Sequence, residues 1–327
     1  MTRKAHAMAI LNIDRSECTK CGICIDICPN NALEFRDDGP ELTHPELCTE
    51  CGVCEDQCPS RSITVLRRQL LTMPGAKPTG DLRWVAASEQ MVSLLGLAKP
   101  PVGIGFVRSA DDVPRGFVTM GFPIRHCVSI HMASLGAAIY VPAQQHACSA
   151  GKAALGIAEL PEKVKSGKVP YLHGLASTES AAARTMAEIP KLPAGTCNGT
   201  VVAPLACFKL PPEVVVLTCL PKQAMWVANS LLFETGGPRI TANFAGMQAS
   251  CGDVTVLPVL TGRVNFSLGC YGCRSAGKLK DDEMYVGIPK ARMEEVISGL
   301  QGLRRAMGKL ERTQTSGDQK GVGKKEE

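Results

Sequence analysis

Cys18-Thr19-Lys20-Cys21-Gly22-Ile23-Cys24-Ile25-Asp26-Ile27-Cys28-Pro29 recurs thirty residues later as Cys48-Thr49-Glu50-Cys51-Gly52-Val53-Cys54-Glu55-Asp56-Gln57-Cys58-Pro59. Two copies with glycine and proline in register mark an internal duplication. Three cysteines spaced by two residues wrap a tight loop, and Gly22 and Gly52 allow that curvature without a Cβ clash. A 4Fe-4S cube needs four thiolates converging from several sides, and the runs supply eight. Zinc sites use pairs of CxxC rather than triples and would leave four thiols over. A secreted disulfide scaffold would be short and preceded by a signal peptide. Strand-like runs flank the copies: Ile10-Leu11-Asn12-Ile13, Ala32-Leu33-Glu34-Phe35 and Ser62-Ile63-Thr64-Val65, with Gly39-Pro40 read as the turn between halves.

Over residues 10–66 the chain resembles bacterial-type two-cluster ferredoxins, with no ligand position missing. In that class the fourth cysteine of each run ligates the other cluster. The resemblance therefore implies one cluster on Cys18, Cys21, Cys24 and Cys58 and a second on Cys48, Cys51, Cys54 and Cys28. It also implies low-potential one-electron transfer, with no open iron left for substrate chemistry.

The chain has 327 residues, 45% of them hydrophobic and 20% charged, the balance of a soluble globular protein. Aromatics are only 4%, which argues against a base-stacking platform for nucleic acid, and no dense basic run is present. The first ten residues hold no long apolar run, and no stretch of eighteen apolar residues occurs, so neither a signal peptide nor a membrane span is expected. Sixteen cysteines kept as thiols point to a reducing cytoplasm. Residues 1–66 carry 6 Lys/Arg against 11 Asp/Glu, a net of −5, which leaves +10 for the remainder. An acidic module tethered to a basic body predicts either electrostatic docking between them or separate charged partners.

The pattern divides the chain into a cluster module at 1–68, a linker at 69–82, a larger domain at 83–312 and a disordered polar tail at 313–327. The linker rests on Met73-Pro74-Gly75-Ala76-Lys77-Pro78-Thr79-Gly80. Trp84 to Leu97 has helical spacing, ended by Pro100-Pro101 before the strand-like Val102–Val107. Val214–Leu220 reads as a buried strand, followed by a helix from Pro221 to about Glu234. Val264–Leu268 and Glu283–Gly287 are further strand candidates. A last helix from Lys290 places Met293, Val296, Ile297, Leu300, Leu303, Met307 and Leu310 on one face. Residues 249–260 suit a strand or a buried helix equally. The fold class expected is α+β: a small ferredoxin-like domain followed by a larger mixed α/β domain.

The larger domain resembles the uncharacterised domain-of-unknown-function family numbered 169, over roughly residues 84–311. The resemblance is carried by Leu95-Gly96-Leu97-Ala98-Lys99-Pro100-Pro101-Val102, Cys148-Ser149-Ala150-Gly151-Lys152, Ser250-Cys251-Gly252-Asp253 and Thr261-Gly262-Arg263-Val264-Asn265-Phe266-Ser267-Leu268-Gly269-Cys270-Tyr271-Gly272-Cys273-Arg274. That family, found in archaea and anaerobic bacteria, implies no activity.

Four cysteines of this domain are candidate site residues. Cys148 opens a helix expected to run to Leu160, where unpaired N–H groups favour a thiolate. Cys270 and Cys273 form a CxxC after a strand, and Cys251 lies in another glycine-containing turn. If they converge, they would hold a third cluster or another metal, or act as a redox-active dithiol fed by the clusters. Cys127, at the end of a strand-like segment with Arg125 and His126, is a weaker candidate. His126, His131 and His146 would complete a mixed Cys/His site, or serve as structural residues. Cys207 and Cys219 read as small buried hydrophobes and Cys197 as a turn residue. Gly103-x-Gly105 lacks the following helix of a dinucleotide fingerprint, and no nucleophile elbow or P-loop occurs.

The function expected is electron transfer from the two clusters to a site in the C-terminal domain, as an oxidoreductase or its relay subunit. A redox partner protein or low-potential donor would feed it, and an unidentified small molecule would be its substrate. The alternatives are a ligand-, metal- or partner-binding accessory or maturation protein supplied with electrons by the ferredoxin module, and clusters that are purely structural.

Overall fold

The structure is a computed structural model that describes residues 11–65 and 80–318, with side chains in the final helix described only as far as residue 307. Residues 1–10, 66–79 (most of the linker expected at 69–82) and 319–327 of the expected tail lie outside the described residues.

The cysteine runs build a module with internal two-fold repetition. Strand β1 (Leu11–Ile13) pairs antiparallel with the later strand Ile63–Val65, so the first and last segments close the module. Between them β2 (Leu33–Arg36) and β3 (Gly39–Leu42) form a hairpin, and Ile63–Val65 is β4. Gly39 pairs with Arg36, so the turn is Asp37-Asp38. Gly39-Pro40, read from sequence as the turn, instead opens β3, where an edge strand tolerates proline. Each run ends in a one-turn helix, Ile23–Asp26 or Val53–Asp56, capped by Gly22 at φ 77° or Gly52 at φ 78°. The left-handed positions repeat too: Lys20 and Glu50, then Asn31 and Arg61, all near φ +50°. Non-glycine residues adopt such angles at a cost, so their recurrence shows two loops bent the same way around their contents.

The body is built on a seven-stranded sheet. Its strands are β5 (Val102–Val107), β6 (Val118–Thr119), β7 (Ile139–Pro142), β8 (Gly199–Pro204), β9 (Val214–Cys219), β10 (Asn265–Ser267) and β11 (Met284–Pro289). The order is β10-β11-β9-β5-β8-β7-β6, antiparallel throughout except for β6 beside β7. Every residue of β5 and β8 is buried, because helices cover both faces. Alternation along β9 splits the core: Val215 and Leu217 join Met91, Val227, Met293 and Leu300 from helices Leu82–Leu95, Pro221–Ser230 and Met293–Asp318. Val214 and Val216 face the other way, toward helix His126–Ser134 and the segment Ala249–Val256. Gly103 of β5 lies under the Phe208 ring, where a Cβ would come within 2.6 Å, so its glycine serves packing.

Several boundaries differ from the sequence reading. Helix Leu82–Leu95 is stopped by left-handed Gly96, before the prolines are reached. The helix after Cys148 is only Ser149–Ala154, because Gly156 turns left-handed at φ 72° well before Pro161. The helix from Pro221 ends at Ser230. Arg125-His126-Cys127 does not end a strand but starts helix His126–Ser134. The last helix runs through Asp318, into the segment expected to be a disordered tail.

The ambiguous stretch is helical and unusual. Ala249–Val256 is a π-helix, continued by the α-helix Leu257–Thr261, so Cys251 sits in a helix and not in a turn. The Thr255 hydroxyl donates to the Ser250 carbonyl at 2.6 Å, five residues back. All eight residues of the π-helix are buried, and π-helical turns concentrate at functional sites.

Candidate iron–sulfur and cysteine sites

In the N-terminal module the eight cysteines ring two cavities. Cys18, Cys21, Cys24 and Cys58 line one, together with Gly22 and Pro59. Cys28, Cys48, Cys51 and Cys54 line the other, with Pro29, Asn30 and Gly52. Each thus combines three cysteines of one run with the fourth of the other, brought across by the duplication's two-fold arrangement.

The chemistry of these thiols suits iron. Burial pushes Cys24 up to about 11, and the neighbouring Cys21, Cys18 and Cys58 push in the same direction. Burial likewise raises Cys48, Cys51 and Cys54. Closely spaced buried thiols resist ionising together, and a bound cation reverses that by deprotonating its ligands outright. Cys58 is the exception. Burial raises it, but hydrogen-bonding contacts with Ser62 at 3.4 Å and Ser60 at 3.6 Å outweigh that and hold it below its usual value.

The module rests on the body through both runs. Arg125, at the start of helix His126–Ser134, reaches the Asp56 carboxylate at 3.7 Å. Lys168 pairs with Asp26 at 3.0 Å, Lys163 donates to the Ile25 carbonyl, and the Ser149 hydroxyl donates to Asn30 at 3.1 Å. Ile27 is wholly buried among Phe106, Ala150, Leu155 and Val169 of the body. The acidic module and basic body therefore dock on each other, with an apolar centre and charged contacts around it.

The four candidate cysteines of the body come together on this same side. Cys251 is raised by burial, and by the nearby thiols of Cys148, Cys270 and Cys273 in turn. Cys148 caps helix Ser149–Ala154, its sulfur accepting from the Gly151 amide at 3.4 Å. A Cβ on Gly151 would lie 3.6 Å from both Cys148 Sγ and Cys251 Sγ, so the two thiols flank that glycine. Cys270 Sγ and Cys273 Sγ are 3.3 Å apart. Cys127 joins them: its thiol donates to the Gly272 carbonyl at 3.3 Å and interacts with Cys273. Tyr285, fully buried on β11, lies within electrostatic range of Cys273, Cys127 and Cys270.

The group lies within electrostatic range of the module. Cys51 and Cys148 act on each other electrostatically, as do Cys148 and Cys270, and the Arg125 charge pulls down against burial on both Cys51 and Cys148. Arg125 and the π-helix were not picked out as site features from sequence. The only available signal for Arg125 was its place before His126-Cys127.

The other cysteines and histidines have partners of their own. Cys197 donates to the Gly199 carbonyl at 3.0 Å, and Cys207 and Cys219 lie in apolar clusters on the other parts of the sheet. His126 Nε2 meets Thr255 Oγ1 at 3.1 Å and His146 Nε2 meets Thr200 Oγ1 at 3.3 Å, their rings 6.2 Å apart. Burial lowers His126 to about 4 and His146 to about 3, so both are neutral. Each ring thus meets a threonine hydroxyl, as a structural histidine does. No helix among the described residues is long and apolar enough to cross a membrane.

A duplicated eight-cysteine module of the iron–sulfur electron-transfer class is thus docked on a mixed α/β body. Residues 17–62 match the family described as 4Fe-4S dicluster domain. Residues 90–299 match the family described as Uncharacterised ArCR, a domain of unknown function, and the chain belongs to that family. The chain is similar to an uncharacterized protein of Methanocaldococcus jannaschii, 29% identical over 219 residues that span 66% of this chain and 93% of the relative. No solved structure matches the chain.

Proposed function

We propose that the protein is an electron relay in which two 4Fe-4S clusters feed a cysteine site in the body. Cys18, Cys21, Cys24 and Cys58 hold one cluster, and Cys48, Cys51, Cys54 and Cys28 hold the other. Each cluster, when bound, supplies one-electron transfer at low potential. Cys148, Cys251, Cys270 and Cys273 form the receiving site. The observation that supports this reading is that Ser149, next to Cys148, donates to Asn30 of the second cavity at 3.1 Å while Arg125 reaches Asp56 at 3.7 Å.

The chain's own residues give the relay a direction. Cys21 is exposed and lines the first cavity, so a redox partner protein or other low-potential donor meets the module there. Ile27 and Val53 pack into the body beside the second cavity and keep water from that side. Tethering and docking hold donor and acceptor at high effective concentration. The protein serves as an oxidoreductase, or its relay subunit, toward a small-molecule substrate, and a reducing cytoplasm of an anaerobe suits such clusters.

Iron and acid-labile sulfide per chain, assayed on anaerobically purified protein, test the reading together with reduction by a low-potential donor. About eight of each is expected, with both clusters bleaching on reduction. Clusters that form fully but accept no electrons from any low-potential donor would sink it.

A further inference from the structure

The body's thiols differ from those of the module in how they stand to one another. The module's cysteines surround cavities, as ligands to separate corners of a cube must. Cys270 and Cys273 instead touch, their sulfurs 3.3 Å apart, about 1.3 Å more than the roughly 2.0 Å of a disulfide. Cys273 is wholly buried and Cys270 only partly so. A Cβ on Gly272, between them in the chain, would lie 4.0 Å from Cys270 Sγ and 3.8 Å from Arg125 Nη1. Arg125 therefore reaches the Asp56 carboxylate beside the second cavity while lying next to the CxxC turn.

We propose that Cys270 and Cys273 form a dithiol–disulfide couple that collects two electrons arriving one at a time through the N-terminal module. The proposal rests on the electron-transfer reading above and specifies its receiving group. In the oxidised form an S–S bond joins the two sulfurs. Reduction breaks that bond, takes up two electrons and two protons, and leaves two thiols. The electrons originate in the low-potential one-electron donor that loads the module, and the protons come from solvent. A module with two one-electron sites matches a two-electron acceptor. The reduced pair keeps its protons: the Cys127 thiol and burial push Cys273 up to about 12, and Cys273 and burial raise Cys270.

The test uses the full-length protein with its clusters loaded and quantified. The protein is oxidised anaerobically with diamide, denatured, alkylated and mapped by peptide mass spectrometry. A Cys270–Cys273 disulfide is expected. Stepwise photoreduction with deazaflavin should then open it, with cluster bleaching lagging until about two electron equivalents have been consumed. Cys273→Ser should abolish the lag while iron, sulfide and final bleaching stay as in the wild type. Cys270→Ser, at the less buried residue of the pair, should do the same if the buried variant fails to fold. A Cys127–Cys273 disulfide, no disulfide, bleaching of the wild type without a lag, or a stoichiometric metal beyond the two clusters would each overturn the assignment. If loaded clusters never bleach, the electron-transfer reading itself falls, and the couple falls with it.

Discussion

The guanidinium of Arg125 lies 3.7 Å from the carboxylate of Asp56, with only 14% and 22% of the two side chains exposed. One residue of the body thereby reaches the second cysteine run while bordering the CxxC turn. Truncating one partner of a half-buried pair leaves the other uncompensated. Arg125→Ala is expected to lower stability by about 1–2 kcal/mol and to slow reduction of the body's thiols after the module has been loaded. Stopped-flow reduction at low and high salt, with urea unfolding alongside, measures both. Unchanged rates and midpoints would show that the pair does not hold the docked geometry.

Lys99 and Glu283 form the most enclosed ion pair among those described, Nζ standing 2.8 and 2.9 Å from the two carboxylate oxygens. Burial would raise the Glu283 carboxyl, but the Lys280 amide and the Lys99 ammonium outweigh it and keep the group below its usual range. Lys99→Met is expected to cost about 3–5 kcal/mol by stranding the carboxylate, and adding Glu283→Leu should recover most of that. Because the folded carboxyl titrates below its unfolded value, the pair's contribution is present above pH ~4.5 and is lost as pH falls further. A double-mutant cycle by urea denaturation at pH 7 gives the coupling. A double variant as unstable as the single one would contradict the argument.

Gly287 of β11 lies against the π-helix so closely that an added Cβ would fall on the Val254 carbonyl oxygen. Backbone cannot swing aside as a flexible side chain can. Gly287→Ala should therefore cost at least about 2 kcal/mol. Its melting temperature should drop while iron and sulfide per chain hold, since the substitution is in the body. Equal melting temperatures would mean that the π-helix has room to shift.

Asp253, also in the π-helix, is 4% exposed and accepts from the Ser267 hydroxyl at 2.8 Å. Burial raises its carboxyl to about 6, despite that hydrogen bond. Between pH ~4 and ~6 the folded state holds a proton that the unfolded chain has lost, so stability falls as pH rises through this window and stays lower above it. Asp253→Asn removes the buried charge and is expected to stabilise the protein at pH 7.5 by about 1–3 kcal/mol, with a smaller gain at pH 5.5. Urea midpoints at the two pH values decide it, and a destabilised variant at pH 7.5 would refute the reading.

The cluster module was almost fully legible because its instructions are local. Ligand spacing, Gly22 and Gly52 are written within twelve residues, and the duplication repeats them. Strands β5 and β9 could be read for a related reason, since unbroken apolar runs between turn signals leave few other elements open. The stretch at Ala249–Val256 could not be read. Eight consecutive buried residues carry neither a helical nor a strand period, and a π-helix depends on what encloses it. The short helix after Cys148 and the helix at His126 were misjudged where a left-handed glycine or a packed neighbour decided the boundary.

The sequence by itself determined that two cysteine runs build a cluster module, that a basic mixed α/β body follows it, and which of the body's cysteines stand out. Only the tertiary structure decided which of them meet. Cys127, Cys148, Cys251 and the Cys270–Cys273 pair come from four separate segments, and helices over one face of the sheet gather them beside Cys51. Contacts between residues more than a hundred positions apart follow from how helices and strands pack, and no local pattern of residues encodes them.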